Sequence, residues 1–325
     1  MTRRDPTFDI AKGIGILLVL TCHFFGWNHP WLNRTISSFH MPLFFIIAGY
    51  FSKSYVDKEA TVSSIKKYFK RLYWPFLFTQ GMIVLWLILM VFAKHDSWNP
   101  VINNTLSTGW ADVYGPTTPW GNLSIGVVWF LIALLVAKIL LIPLSRTGIW
   151  AIPISLITAF GVMMLHKVFP YSIWCISLGL MALPFVTIGW WIKNHKLPWW
   201  AYGIAVLGWI AAIAFSEMDM YNFTWNCYPL DVLGACGGTF CIYMLSKFIA
   251  SKTKITSKVL SQLGIWSLAI MCVHCFEIAS HLNNHVLAVI PAVLPSWFSY
   301  VFRYLLTIGL AIAIVHTPRV KKLFV

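Results

Sequence analysis

Charge is what this sequence has least of. Only 10% of its 325 residues are Asp, Glu, Lys or Arg, where a soluble domain carries about 25%. Acidic side chains are the rarer sign, 10 against 24 Lys and Arg, giving a formal net charge of +14. The one CxxC spacing, Cys272 to Cys275, lies inside an apolar run, and no set of His, Cys, Asp and Glu has a spacing that supports a metal site, so no metal is expected. Six of the seven cysteines (Cys22, Cys175, Cys236, Cys241, Cys272 and Cys275) fall in apolar runs, which leaves Cys227 in a polar loop without an exposed partner. Disulfides therefore have no architectural role here. So little charge excludes a soluble enzyme, a disordered chain and a secreted disulfide scaffold. What the chain has in abundance is apolar surface, with 59% hydrophobic residues and a mean hydropathy of +0.74. That much cannot be hidden in one water-soluble core, so the solvent for most of the chain is lipid.

Ten apolar runs are candidates for crossing helices, at about 9–27, 38–52, 72–93, 124–143, 149–165, 171–192, 199–215, 231–250, 265–282 and 297–316. Each approaches the roughly 20 residues a bilayer requires, although 38–52 is short and carries Pro42 and Gly49. The runs are continuously apolar and do not alternate, which argues against a β-barrel. The stretch 286–295, with two prolines, is expected to be re-entrant or interfacial. With the N-terminus inside, eighteen Lys and Arg fall in inner segments and only Arg34, Lys94 and Lys167 in outer ones. That asymmetry predicts an even number of spans with both termini cytoplasmic. The positive charge is then a topology signal, and no nucleic-acid partner is implied. No cleavage site follows Arg3 and Arg4, so the first span reads as a retained anchor. The fold class expected is all-α: a polytopic membrane helical bundle forming one integral-membrane domain over 1–325, without a soluble domain at either end. In the long outer loop 95–123, Trp98, Trp110, Tyr114 and Trp120 with Asn103 and Asn104 suit sugar binding or a loop folded over helix ends.

Polar groups inside a span are costly and therefore functional candidates. The first span reads FDIAKGIGILLVLTCHFF. Asp9 and Lys12 stand three apart, at ion-pairing distance on one helical face. His23 follows Lys12 by eleven residues, which is about 1100° of rotation and about 16 Å of rise. Lys12 and His23 thus share a face at different depths, with Gly13 and Gly15 removing bulk beside Lys12. The plainer alternative is a snorkelling Lys, a hydrogen-bonded core His and glycines for helix packing. His274 and Glu277 lie three apart in the ninth span, and Glu277 with Arg303 reads as a buried structural pair. Lys138 reads as snorkelling.

The first-span pattern, Asp9-x-x-Lys12 and then His23 after ten residues, resembles the signature of the acyltransferase-3 family of membrane acyltransferases, where an Arg more often stands at the basic position. The likeness continues in SFHMPLFFIIAGYF at 38–51, with Ala48 where the family often has Ser, and in KKYFKRLYWPF at 66–76. VVWFLIALL at 127–135 and LGIWSLAIMCVH at 263–274 complete an ordered set over about residues 7–280. It is most similar to the short sugar O-acetylases, including the fucose O-acetylase-like group. The resemblance implies transfer of an acyl group, commonly acetyl, from cytoplasmic acyl-CoA to a hydroxyl of a cell-envelope carbohydrate or lipid-linked glycan. It implies His23 as general base with Lys12 and Asp9 beside the donor, acetyl-CoA as donor substrate, and no metal. Lys67, Lys70 and Arg71, with Lys66, would meet the donor's phosphates. His40 would orient an acceptor hydroxyl or satisfy a helix end. Trp129, His274 and Glu277 complete the substrate-contact candidates, although packing is the simpler role for Trp129.

The expected setting is a bacterial inner membrane, with membrane lipid and the glycan acceptor as partners; a homo-oligomer is compatible with it. The rival reading is a proton-coupled transporter or flippase. It is weakened by the shortage of midplane carboxylates and by the absence of matching broken spans in two halves.

Overall fold

The computed structural model describes residues 5–25, 29–53, 58–94, 97–110, 125–169, 173–282 and 296–324. The helices are α1 (Thr7–Phe25), α2 (Pro30–Ser37), α3 (His40–Tyr50), α4 (Lys58–Tyr68), α5 (Trp74–Lys94), α6 (Asn99–Trp110), α7 (Trp129–Leu144) and α8 (Ala151–His166). They continue with α9 (Ile176–Asn194), α10 (Trp199–Phe215), α11 (Tyr228–Lys252), α12 (Lys254–Ile265), α13 (Ser267–Ser280), α14 (Ser296–His316) and α15 (Pro318–Phe324). A π-helical turn, Phe69–Tyr73, joins α4 to α5, and short 3-10 segments precede and follow α7. The strands among the described residues are β1 (Met218–Asp219) and β2 (Thr224–Trp225), paired antiparallel as a small hairpin. The result is an all-α membrane bundle.

Every expected span falls on a helix, but the lengths differ. Among the described residues six helical stretches are long and apolar enough to cross a bilayer, or seven if α12 and α13, broken near Trp266, count as one. α3 has 11 residues, about 16 Å of helix and too little for a crossing. α10 has 17 residues. The expected runs 124–143 and 149–165 belong to one stretch of 41 residues, Gly126–His166, interrupted where Gly148 takes φ 60°. No Cβ is tolerated cheaply at that angle, so glycine is the residue that lets the chain turn between α7 and α8. The exposed residues Met82, Leu85, Leu89 and Phe92 run along one face of α5 at helical spacing, a stripe that suits lipid and not water. The segment 286–295, the loop residues Tyr114 and Trp120, Trp27 and the N-terminal Arg3 and Arg4 lie outside the described residues.

The chain divides into two compact units. Unit 1 comprises residues 1–55, 140–163 and 181–267. Here α1 packs on α3, α11 and α12. Asp5 starts α1 by accepting hydrogen bonds from the Thr7 hydroxyl (2.6 Å) and backbone N–H (2.9 Å), which hold its carboxyl below the usual carboxylate range. Ala11, Phe39, Leu43, Ile47 and Ile242 form a buried cluster, covered by Phe8, Ile14, Leu18 and Trp209. Phe8 meets Phe51 at 5.1 Å between ring centroids, so the start of α1 lies beside the end of α3 and the two run antiparallel. Close contacts rest on glycine. A Cβ on Gly264 would lie 1.7 Å from the Asp9 carbonyl oxygen, and one on Gly13 would lie 2.0 Å from that of Leu260. α1 and α12 therefore touch backbone to backbone, the arrangement small residues permit between membrane helices.

Unit 2 comprises residues 56–139, 164–180 and 268–325. Tyr73 stacks on Trp174 at 5.8 Å, and the Trp174 N–H donates to the Trp110 carbonyl at 2.9 Å. Buried Gln80 of α5 donates to the Ile125 carbonyl at 2.9 Å, and the Trp86 indole donates to the Ser280 carbonyl at 3.2 Å. Each of these bonds satisfies a carbonyl next to a helix end or turn.

Candidate active site

The polar residues of unit 1 gather around α1. Lys12 Nζ lies 2.7 Å from Asp9 Oδ1, so the ion pair expected from the i, i+3 spacing is formed. Asp9 is 4% exposed, whereas the Lys12 side chain keeps 26% of its surface. That difference matters. A buried carboxylate needs a permanent partner, while the partly open ammonium retains donors for a ligand. Gly13 and Gly15 serve helix packing, Gly13 on α12 and Gly15 against Leu43 and Phe44 of α3. The pair is thus held at a fixed depth by the α1–α12 contact.

His23 occupies the last turn of α1 and is partly buried. Because α1 and α3 run antiparallel, His40, the first residue of α3, stands at the same end of unit 1. Its Nδ1 is 2.9 Å from the Ile36 carbonyl oxygen, so this ring nitrogen answers a helix end. The sequence reading missed the polar lattice at that end. Cys22 Sγ lies 2.6 Å from Asn33 Oδ1, and Ser38 Oγ donates to the Thr35 carbonyl (2.7 Å) while accepting from the Trp209 indole (2.9 Å). Arg34 Nε donates to the Ser216 carbonyl at 2.6 Å, tying α2 to the segment before the β-hairpin. The Asp219 carboxylate lies near enough to act electrostatically on both Cys22 and His40. The signal for these residues was a cluster of Asn, Arg, Thr and Ser at 33–38, between two apolar runs.

In unit 2 the basic motif splits between two helical faces. Lys67 and Arg71, four apart, lie near enough to Lys138 for their charges to act on it. Lys138 is 9% exposed, and its ammonium sits over the Tyr68 ring at 4.6 Å from the centroid. The snorkelling expectation for Lys138 is corrected: its head is inside the protein, covered by an aromatic face. Lys66 and Lys70, also four apart, line a separate groove. The π-helical turn starts inside this motif, and such turns recur at functional sites.

His274 and Glu277 are both fully buried in α13. Arg303 grips Glu277 with two bonds, Nε to Oε1 at 3.0 Å and Nη2 to Oε2 at 3.2 Å. His274 Nδ1 stands 3.6 Å from Oε2 of the same carboxylate. The planar fork on a buried carboxylate is the geometry of the structural pair expected for Glu277 and Arg303. Trp129 opens α7, is 6% exposed and meets Phe130 edge-on at 6.4 Å, which suits packing. Among the described residues no three His, Cys, Asp or Glu side chains gather into a metal-binding cluster.

A family model for an acyltransferase domain matches residues 5–319, nearly the whole chain. The chain belongs to the acyltransferase-3 family. The chain is similar to the nodulation protein NolL of Mesorhizobium japonicum, with 29% identity over 243 residues. The similarity covers 69% of this chain and 59% of that protein, so the chain spans about three fifths of its relative's length. No solved structure matches it. The family identity agrees with the ordered motifs read from the sequence.

Proposed function

We propose that the protein is a membrane O-acyltransferase that moves an acetyl group from cytoplasmic acetyl-CoA to a hydroxyl of a cell-envelope carbohydrate, with His23 as general base. The observation that carries this reading is the α1 constellation in a chain of this family. A Lys12–Asp9 pair at one end of the helix and His23 in its last turn share a face about 16 Å apart. Neutral imidazole accepts the proton of the acceptor hydroxyl as its oxygen attacks the thioester carbonyl. The C–S bond then breaks, and the imidazolium returns the proton to the departing thiolate. Lys12, steadied by Asp9, keeps a cation at the donor's approach. Lys67 and Arg71 are the proposed grips for donor phosphate, Arg71 the stronger because its guanidinium binds phosphate with two parallel bonds. The lattice around Asn33, Ser38 and His40 offers hydroxyl-sized hydrogen-bonding partners and is the proposed acceptor side. The cytoplasmic placement of both termini follows from the eighteen-to-three division of basic residues.

The test is His23→Ala. Removing a positioned general base typically costs about 10²–10⁴ in rate. Acetyl transfer should fall by that factor while binding of coenzyme A and the thermal unfolding midpoint stay near wild type. Near-normal acetylation by the purified variant would exclude His23 as the base.

A further inference from the structure

Unit 2 contains a groove of about 450 Å³ between the π-helical turn and the C-terminal helix α15. Its walls are Lys66, Lys70 and Lys322 on one hand and Ile65, Phe69, Trp74 and Leu323 on the other. Three lysines line it and no acidic residue does. α15 is fixed there by its last aromatic residue, Phe324, whose ring meets Phe78 of α5 edge-on at 5.9 Å. Lys322 and Leu323 lie beyond residues 5–319, the part the family model covers, so the groove is completed by residues outside the acyltransferase domain proper.

The depth of the groove follows from α5. Its 21 residues give about 31 Å of helix, the thickness of one hydrocarbon core. Trp74, its first residue, is 55% exposed, as an indole at a membrane–water boundary is. Lys70 stands about one helical turn further out, and Phe69, also exposed, beside it. The lysines are thus at the level of lipid phosphates, with an aromatic and aliphatic wall leading from them toward the hydrocarbon. A soluble phosphate ester would use the cations and leave that wall wet.

We propose that this groove is a binding site for the headgroup of an anionic phospholipid. The phosphate is held by Lys66, Lys70 and Lys322, and the glycerol backbone and upper acyl chain lie along Phe69 and Trp74. The site is independent of acyl transfer, because it uses the face of the basic motif turned away from Lys67 and Arg71.

The experiment is native mass spectrometry of the full-length protein in mild detergent, mixed with equal amounts of dioleoylphosphatidylglycerol and dioleoylphosphatidylcholine. Wild type should retain phosphatidylglycerol preferentially. Lys322→Gln should lower that retention about fivefold, the weight of one lysine near an anionic surface. Lys321→Gln makes the same change of charge one residue away, outside the groove, and should stay within about twofold of wild type. Equal losses in the two variants would reduce the effect to diffuse attraction, and no loss in Lys322→Gln would empty the groove of its role. Displacement of the bound lipid by added coenzyme A would assign the groove to a soluble phosphate ligand. Any of these three results overturns the proposal.

Discussion

Gly264→Ala is the most demanding test of how α1 is held. The new Cβ would lie 1.7 Å from the Asp9 carbonyl oxygen, where ordinary contact begins at 3.4 Å. The obstacle is backbone, so no side chain can rotate away; α1 and α12 must separate by about 1.7 Å at that level. Overpacking of this kind costs about 1–3 kcal/mol. The displaced atom belongs to Asp9, which positions Lys12, and a shift of about 1 Å near a reacting group can cost about 10² in rate. The variant should therefore lose about 100-fold in acetyl transfer, read as thiol release from acetyl-CoA and as glycan acetylation by mass spectrometry. Its thermal midpoint should fall by a few degrees. Gly203→Ala in α10, with nothing within 4 Å of the added carbon, is the control; helix propensity predicts no loss and a gain of about 0.5–1 kcal/mol. Gly13→Ala presses on the same contact from the other side, so the double variant should lose less than the two single losses together. Full activity and unchanged melting in Gly264→Ala would refute the claim that backbone contact between α1 and α12 fixes the Lys12–Asp9 pair.

Glu277→Ala strands the Arg303 guanidinium beside a fully buried gap and should destabilise by about 3–5 kcal/mol, seen in chemical unfolding in detergent, while Glu277→Ala with Arg303→Met should recover most of it. A double variant no more stable than Glu277→Ala would deny the pair its structural role. Arg71→Ala should weaken coenzyme A binding more than Lys66→Ala in calorimetric titration, because the two residues lie on different faces and only Arg71 offers the planar fork. Equal affinities would remove Arg71 from the donor site. For topology, a cysteine at position 58 should react with an impermeant maleimide only after permeabilisation, whereas native Cys227 should react in intact cells; reversal of either result would sink cytoplasmic placement of the α3–α4 connection.

The helices were legible because apolar runs of bilayer length have few alternatives. The Lys12–Asp9 pair was legible because three-residue spacing on a helix brings side chains together whatever surrounds them. Lys138 was misread for the opposite reason. Its environment is the ring of Tyr68, seventy residues away in sequence, and no local pattern announces a cation covered by a distant aromatic. α3 was taken for a span from its apolar composition. Length is what disqualifies it, and its start depends on His40 and Phe39 ending one helix and opening the next. The lattice of Cys22, Asn33, Ser38 and Trp209 escaped because it joins α1, α2 and α10, elements brought together only by packing.

The π-helical turn at 69–73 also bears on how this segment can vary in length. A π turn holds about one residue more than an α turn, and one residue of α-helix subtends about 100°. Deleting a single residue there would restore an unbroken α-helix while α4 keeps its facing relative to α5, because the wide turn already absorbs the extra residue and the rotation it would otherwise add. Lys66 and Lys67, on adjacent faces, would then keep their surroundings, Lys67 near Lys138 and Lys66 on the groove. The same deletion made in the regular helix between Tyr73 and the body of α5, where no wide turn absorbs it, would rotate the whole basic motif by about 100° at once while leaving its composition untouched.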